Sequence, residues 1–265
     1  MKRAARLFAV VLSLAAIAGA QAQVAPLTPG PYEEKLDALL AARDYGAVTK
    51  AAYNEVSDAA TASRALNWLR AEETARGRGS FVSFLYAASL WRVAGSIPAN
   101  QAVRLKASAA TQLLFTRLLI RTDGYQCADA GSPPSRLAFI EGQLAETARY
   151  FDQLPAKDRA DVERDARVLL ILSYPRREDD DWLCRSGPLY IAKYLKKHPD
   201  GAGEKVTSET LAARNVMVPN DPEIEADFLP FENWEPKSVQ EIKKINRETG
   251  GPAIPPSLFE KRNHP

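Results

Sequence analysis

Apolar side chains recur every three to four residues along most of this chain, and that spacing constrains its fold more than any other feature. The period predicts amphipathic α-helices, because one face of a helix returns every 3.6 residues. No stretch shows a sustained alternation of β-branched and polar residues, so the sequence indicates no β-sheet. We predict helices over residues 32–43, 46–56, 58–76, 80–95, 100–124, 135–155, 157–175 and 188–197.

The predicted helices are joined by short connections, which favours antiparallel neighbours in a helical array or bundle. Residues 100–124 illustrate the pattern, because five residues fall on one helical face, namely Val103, Ala107, Ala110, Leu114 and Leu118. The sequence therefore predicts an all-α domain of antiparallel helical hairpins over residues 31–214.

Residues 65–94 carry a resemblance to known repeats through "ALNWL" on one predicted helix and "YAASLW" on the next. The stretch resembles one register of Sel1-like or tetratricopeptide helical repeats. No second copy follows at a fixed period, whereas repeat arrays need at least three copies. The resemblance implies a repeat-like hairpin, and a generic helical hairpin would give the same pattern.

The chain begins with three basic residues and a short apolar run, "MKRAARLFAVVLSLAAIAGAQAQ". The small residues of "AQA" end at Ala22, and those of "AGA" end at Ala20, as at a signal-peptide cleavage site. A membrane anchor is the alternative, but the run is shorter than the about 20 residues that a transmembrane helix needs. We predict a signal peptide over residues 1–22, a linker over 23–30, and an exported chain, periplasmic or secreted, without a membrane span.

The charge balance does not indicate binding to nucleic acid or to an anionic membrane. The whole chain has 35 Lys and Arg against 33 Asp and Glu, a net charge of +2. Removal of the predicted signal peptide takes three basic residues and leaves 32 against 33, a net charge of −1. A near-neutral surface of this kind does not attract polyanions over a distance.

Cys127 in "GYQCADAG" and Cys184 in "DDDWLCRSG" are the only two cysteines in the chain. Exported proteins meet an oxidising compartment, so we predict a disulfide between them. Two free thiols or a redox pair are the alternatives, although a redox pair usually reads C-x-x-C. In the chain-entropy model, a disulfide closing so long a loop stabilises the fold by roughly 4 kcal/mol.

The residues around both cysteines are similar to those of a family of exported bacterial proteins of unknown function. The family has a D-G-x-x-C-x-D loop, a proline segment followed by arginine, and an L-C-R-x-G stretch. The matching positions are Asp123, Gly124, Cys127, Asp129, Pro133, Arg136, Leu183, Cys184, Arg185 and Gly187. The resemblance implies a shared helical unit tied by a disulfide, and it implies no activity.

The composition changes in the C-terminal segment, residues 215–265, where eight of the 18 prolines lie. We predict a Pro-rich, mostly irregular segment with one short helix over 236–249. The stretch "DFLPFENW" concentrates large apolar side chains that solvated tails rarely keep, namely Phe228, Leu229, Phe231 and Trp234. The segment either lies across an apolar groove of its own domain or docks onto a partner protein.

The chain carries no recognised catalytic, nucleotide-binding or zinc-binding motif, and we predict neither a metal nor a cofactor. The acidic run "EDDD" at 178–181 lacks the spacing of a calcium loop and is typical of a helix N-terminus. His198 most simply ends a helix. Paired carboxylates would suit glycan hydrolysis, and the candidates are Glu72, Glu73, Glu141 and Glu146.

These patterns predict an exported, non-enzymatic cell-envelope protein that serves as an interaction or structural module. Its partner would be another envelope protein, bound on a concave helical surface. The alternative is a cell-wall glycan-binding or glycan-hydrolysing protein with an unrecognised site. A deep cleft with two facing carboxylates would favour the hydrolase, whereas a broad apolar groove would favour the binding module.

Overall fold

Each range predicted to be helical is largely helical in the computed structural model, which describes residues 29–74, 76–199 and 221–259. Within these ranges the chain forms eleven α-helices and no β-strand, so the all-α prediction is confirmed. In chain order the helices are α1 Pro31–Ala41, α2 Tyr45–Thr49, α3 Ala59–Thr74, α4 Gly79–Gly95, α5 Ala99–Asp123, α6 Ser132–Gln143, α7 Ala145–Gln153, α8 Ala156–Ser173, α9 Asp181–Cys184, α10 Pro188–Lys197 and α11 Phe231–Glu248. The predicted signal peptide lies outside the described residues.

Single helical turns follow three of these helices, and a fourth lies near the end of the described residues. A π-helical turn follows α2, 3₁₀ turns follow α5 and α8, and a last 3₁₀ turn comes after α11. Their bounds are Lys50–Asn54, Gly124–Gln126, Tyr174–Arg176 and Pro256–Leu258.

The helix predicted over 135–155 is wrong in one respect, because the structure divides it into α6 and α7. The backbone leaves helical geometry at Leu144, with φ −109° and ψ 25°. The first of the two helices also begins earlier than predicted, at Ser132, with Pro133 in its first turn. Proline is tolerated there because first-turn N–H groups have no partner within the helix.

Helix α4 lies at the centre of the domain and packs mainly against α5 and α3. Its residues are buried on nearly all sides, as expected of a core helix without a polar face. Phe81 and Leu85 of α4 join Leu69 of α3 and Leu113 of α5 in the main hydrophobic core. Trp182, from the short helix α9, closes this core from the side of the second cysteine.

The C-terminal segment packs on its own domain, because Ile242 and Ile245 of α11 join a second core. Their partners there include Phe115 of α5 and Leu170 of α8. Helix α11 has 18 residues and begins at Phe231, earlier than the predicted start at residue 236. The described residues of the segment outside α11 are mostly irregular, apart from the last 3₁₀ turn.

The early start of α11 follows from the burial of Trp234, which is 1% exposed and packs edge-to-face against Phe231. This packing holds the first helical turn in place ahead of Pro236. Proline inside a helix removes one backbone hydrogen bond, and the buried aromatic side chain offsets that loss.

We expect Trp234→Ala to lower the free energy of unfolding by about 3–5 kcal/mol, because it leaves a large cavity under α11. Urea denaturation of the purified chain measures the effect. Val103→Ala is the matched control, since Val103 is 55% exposed, and it should change stability by less than about 0.5 kcal/mol. A loss below about 1 kcal/mol for Trp234→Ala would contradict the packing of α11 on the domain.

Candidate functional site

A disulfide between Cys127 and Cys184 joins the loop after α5 to the end of α9, as predicted. The two Cα atoms are 5.1 Å apart, and both residues are buried. The backbone beside Cys127 also pairs with the C-terminal segment, because Ala128 N–H donates to Asp227 O and Leu229 N–H donates to Gln126 O. The loop therefore connects three parts of the chain that are distant in sequence.

Buried polar groups surround the disulfide and pair with each other. Asp123 Oδ1 accepts a hydrogen bond from Arg177 Nη1 at 2.8 Å, and both side chains are almost completely buried. Asp129 Oδ2 accepts from the N–H of Leu189 at 2.7 Å and so caps α10. A Cβ atom on Gly187 would lie 2.2 Å from that same oxygen, so only glycine fits there.

The acidic run at 178–181 caps helices, as the sequence indicated. Asp180 accepts hydrogen bonds from the N–H groups of Leu183 in α9 and of Ser80 in α4. Burial raises the pKa of Asp180 to about 6, and the hydrogen bond from the Ser80 N–H opposes this effect. A carboxylate from 100 residues away in the chain therefore caps the first turn of α4.

An open apolar groove of about 860 Å³ lies between α5, α6, α8 and α11. Half-buried Leu114 and Leu118 of α5 and Leu137 of α6 supply apolar walls. The disulfide lies beside them, because Cys127 also lines the groove. We call this feature the groove.

Six charged side chains line the groove, four of them basic and two acidic. The basic residues are Arg117, Arg121, Arg167 and Lys237, and the acidic ones are Glu141 and Glu163. Arg117 pairs with Glu141 at 3.3 Å, and Arg121 pairs with Glu241 of α11. The lining residues without an ion-pair partner among the described residues are Arg167, Lys237 and Glu163, so the unpaired charges sum to +1.

A second cavity of about 400 Å³ opens beside α4, on the side of Trp182, and we call it the cleft. Its walls are aromatic, and its polar lining includes Arg136 and Arg185. The aromatic residues are Tyr45, Tyr53, Phe81, Phe84, Trp91, Phe139 and Trp182. Sequence reasoning missed this cavity, because its walls come from elements far apart in the chain.

The four candidate carboxylates do not face each other across either cavity. Glu72 is buried and pairs with Arg76 at 2.6 Å, and burial raises its pKa to about 7. Glu73 borders a cavity of only about 10 Å³, room for about one water molecule. Glu141 lies at the groove, paired with Arg117, and Glu146 is an exposed surface residue on α7.

Burial without hydrogen bonding distinguishes Glu73 from the other three carboxylates. Neither carboxylate oxygen has a hydrogen-bond partner among the described residues. Burial raises the pKa of Glu73 to about 8, and nearby Ser83 and Gln112 oppose that shift only in part. At neutral pH the folded protein therefore holds Glu73 in its protonated form.

The predicted docking residues lie against the protein's own domain. Trp234 is buried, Phe231 packs against it, and Phe228 is half-buried beside the main core. Leu229 lines the groove. The placement favours the interpretation in which the segment crosses its own domain, and it brings Leu229 to the place where a partner could bind.

The remaining sequence expectations concern histidine, metals and membranes. His198 ends α10 and pairs with Asp221 at 2.7 Å. In the described part of the chain, no group of three or more Asp, Glu, His or Cys side chains could hold a metal ion. None of the helices within the same ranges has the length and apolar character that a membrane crossing requires.

No protein-family model, curated protein or solved structure matches this chain.

We expect the double change Cys127→Ser and Cys184→Ser to lower the free energy of unfolding by about 4 kcal/mol, because the disulfide closes a long loop in the unfolded chain. The separation of 57 residues sets this estimate. Urea denaturation with and without dithiothreitol measures it. Reductant should lower the stability of the wild-type protein and leave the variant unchanged, and a difference below about 1 kcal/mol would refute the estimate.

Glu73 should make the fold less stable as the pH rises. Its pKa is about 8 in the folded state against an ordinary value of 4.5, so the folded state binds more protons between these values. The stabilisation that protonated Glu73 gives the folded state is complete below pH 4.5. It is lost as the pH rises through about 8, and the total loss in unfolding free energy is at most about 5 kcal/mol.

We expect Glu73→Gln to flatten the fall in unfolding free energy between pH 5 and pH 9, measured by urea denaturation. Exposed Glu146 provides the matched control, and Glu146→Gln should keep the wild-type slope. Equal slopes for all three proteins would show that Glu73 is already ionised in the folded state.

Proposed function

We propose that this chain is an exported, non-enzymatic cell-envelope protein whose groove receives a short segment of another envelope protein. The observation that carries the proposal is the open groove of about 860 Å³ with apolar walls. Large concave apolar surfaces on a protein usually mark a binding site.

The proposed occupant carries apolar side chains flanked by acidic residues. Its apolar side chains would pack against Leu114, Leu118 and Leu137 of the groove. The excess of basic groups around the groove favours a partner with negative charge next to that apolar stretch. Arg167 and Lys237 are the nearest candidates for this contact, because Arg117 and Arg121 already pair with glutamates.

The cell-envelope location rests on the first 22 residues, whose pattern is that of a signal peptide, and the disulfide fits an oxidising compartment. Either the periplasm or the space outside the cell would suit these features. Glycan hydrolysis has less support, because the candidate carboxylates are buried or paired with arginine rather than facing each other.

Site-specific photocrosslinking in intact cells tests the proposal. A photoreactive phenylalanine analogue replaces Leu118 in the groove or, as the matched control, Val103 on the same helix away from the groove. We expect position 118, and not position 103, to crosslink to one partner protein. The crosslinked peptide, identified by mass spectrometry, should carry apolar side chains next to Asp or Glu.

Binding of that peptide should also depend on the apolar wall. We expect Leu118→Asp to weaken binding of the synthetic peptide at least about 10-fold, because a charge would be placed in an apolar contact. Val103→Asp should leave the affinity unchanged. Equal crosslinking from both positions, or crosslinks to lipid alone, would overturn the proposal.

A further inference from the structure

Arg136 of α6 lines the cleft, and the residue is 4% exposed. The guanidinium carbon lies 3.7 Å from the centre of the Trp182 ring, so the two groups stack. Both hydrogen bonds of Arg136 use Nη2, which donates to Trp182 O at 2.7 Å and to Arg185 O at 3.3 Å. Its Nε is buried and has no hydrogen-bond partner in the described ranges.

The other two buried arginines near the disulfide each have a carboxylate partner. Arg177 pairs with Asp123, and Arg185 pairs with Asp181. By contrast, Arg136 makes no ion pair with any carboxylate of the described residues. Asp180 attracts the guanidinium through space but makes no hydrogen bond to it. A buried charge without a hydrogen-bonded counter-ion is costly, so such a guanidinium at a cavity favours binding of an anion.

The aromatic walls of the cleft suit a ligand whose uncharged part is aromatic or apolar. Phe84 stacks on Trp182 with ring centres 5.8 Å apart, and Phe139 lies 5.6 Å from Phe84. The mouth is formed by the exposed residues Gly46, Asn54 and Gln143. A volume of about 400 Å³ lies at the small end of the range for small-molecule sites.

We propose that the cleft binds a small carboxylate with an aromatic or apolar body, and that the carboxylate accepts hydrogen bonds from the Arg136 guanidinium. Nη1 is the donor left for the carboxylate, because Nη2 already donates to two backbone carbonyls and Nε is buried, and a hydrogen bond between charged groups is a strong one. A single negative charge suits the cleft better than a phosphate dianion, because Arg185 is already neutralised by Asp181. The cleft and the groove are separate cavities, so this inference does not depend on the proposed function.

Calorimetric titration of the oxidised protein tests the inference with 3-phenylpropionate and with its uncharged counterpart, 3-phenylpropionamide. We expect the carboxylate to bind about 10- to 100-fold more tightly than the amide, the gain of a hydrogen bond between charged groups. Arg136→Gln should remove this preference. Equal affinities for the two compounds, or no binding of the carboxylate at millimolar concentration, would overturn the proposal.

A second variant locates the binding without changing Arg136, whose bonds to two backbone carbonyls also support the fold. Gln143→Trp places a large side chain at the mouth of the cleft and should weaken the binding of both compounds at least about 10-fold. Gln153→Trp is the matched control, because Gln153 is exposed on α7 and does not line the cleft. Unchanged binding in Gln143→Trp would place the ligand elsewhere and overturn the assignment to the cleft.

Discussion

The disulfide between Cys127 and Cys184, with the buried polar groups around it, is the constraint on which the two cavities depend. Cys127 lines the groove, and Trp182, two residues before Cys184, forms a wall of the cleft. One covalent bond therefore fixes the position of one side of each cavity. The same loop pairs with the backbone at Phe228, so the C-terminal segment is positioned by it as well.

The polar groups around the disulfide explain how short loops keep a defined structure without a sheet. Asp129 and Asp180 each cap a helix that is distant in sequence, and Arg177 is held by Asp123. Buried polar groups are costly unless they are paired, so this arrangement selects one conformation of the loops. Arg136 departs from this rule at the wall of the cleft, and Glu73 departs from it beside the small cavity.

The helices were predictable from sequence because their period is local, whereas the cavities depend on contacts that are not. Within α5, the predicted face, which includes Val103, Leu114 and Leu118, is completely buried only at Ala110. Val103 is exposed, the two leucines line the groove, and Ala109 and Leu113 on a neighbouring face are completely buried. Periodicity identifies an apolar face but not what covers it. The cap from Asp180 to Ser80 and the contact of Tyr45 with Asp181 at the cleft join residues 100 and 136 positions apart, which no local pattern indicates.

Hydrogen exchange of the oxidised and the reduced protein, followed by mass spectrometry, tests most directly whether the disulfide holds the surrounding loops together. We predict that reduction speeds amide exchange together in residues 124–131, 180–189 and 221–229, because the same buried groups connect all three. The α4–α5 pair at the centre should keep its protection. Faster exchange confined to the residues next to the two cysteines would contradict this account.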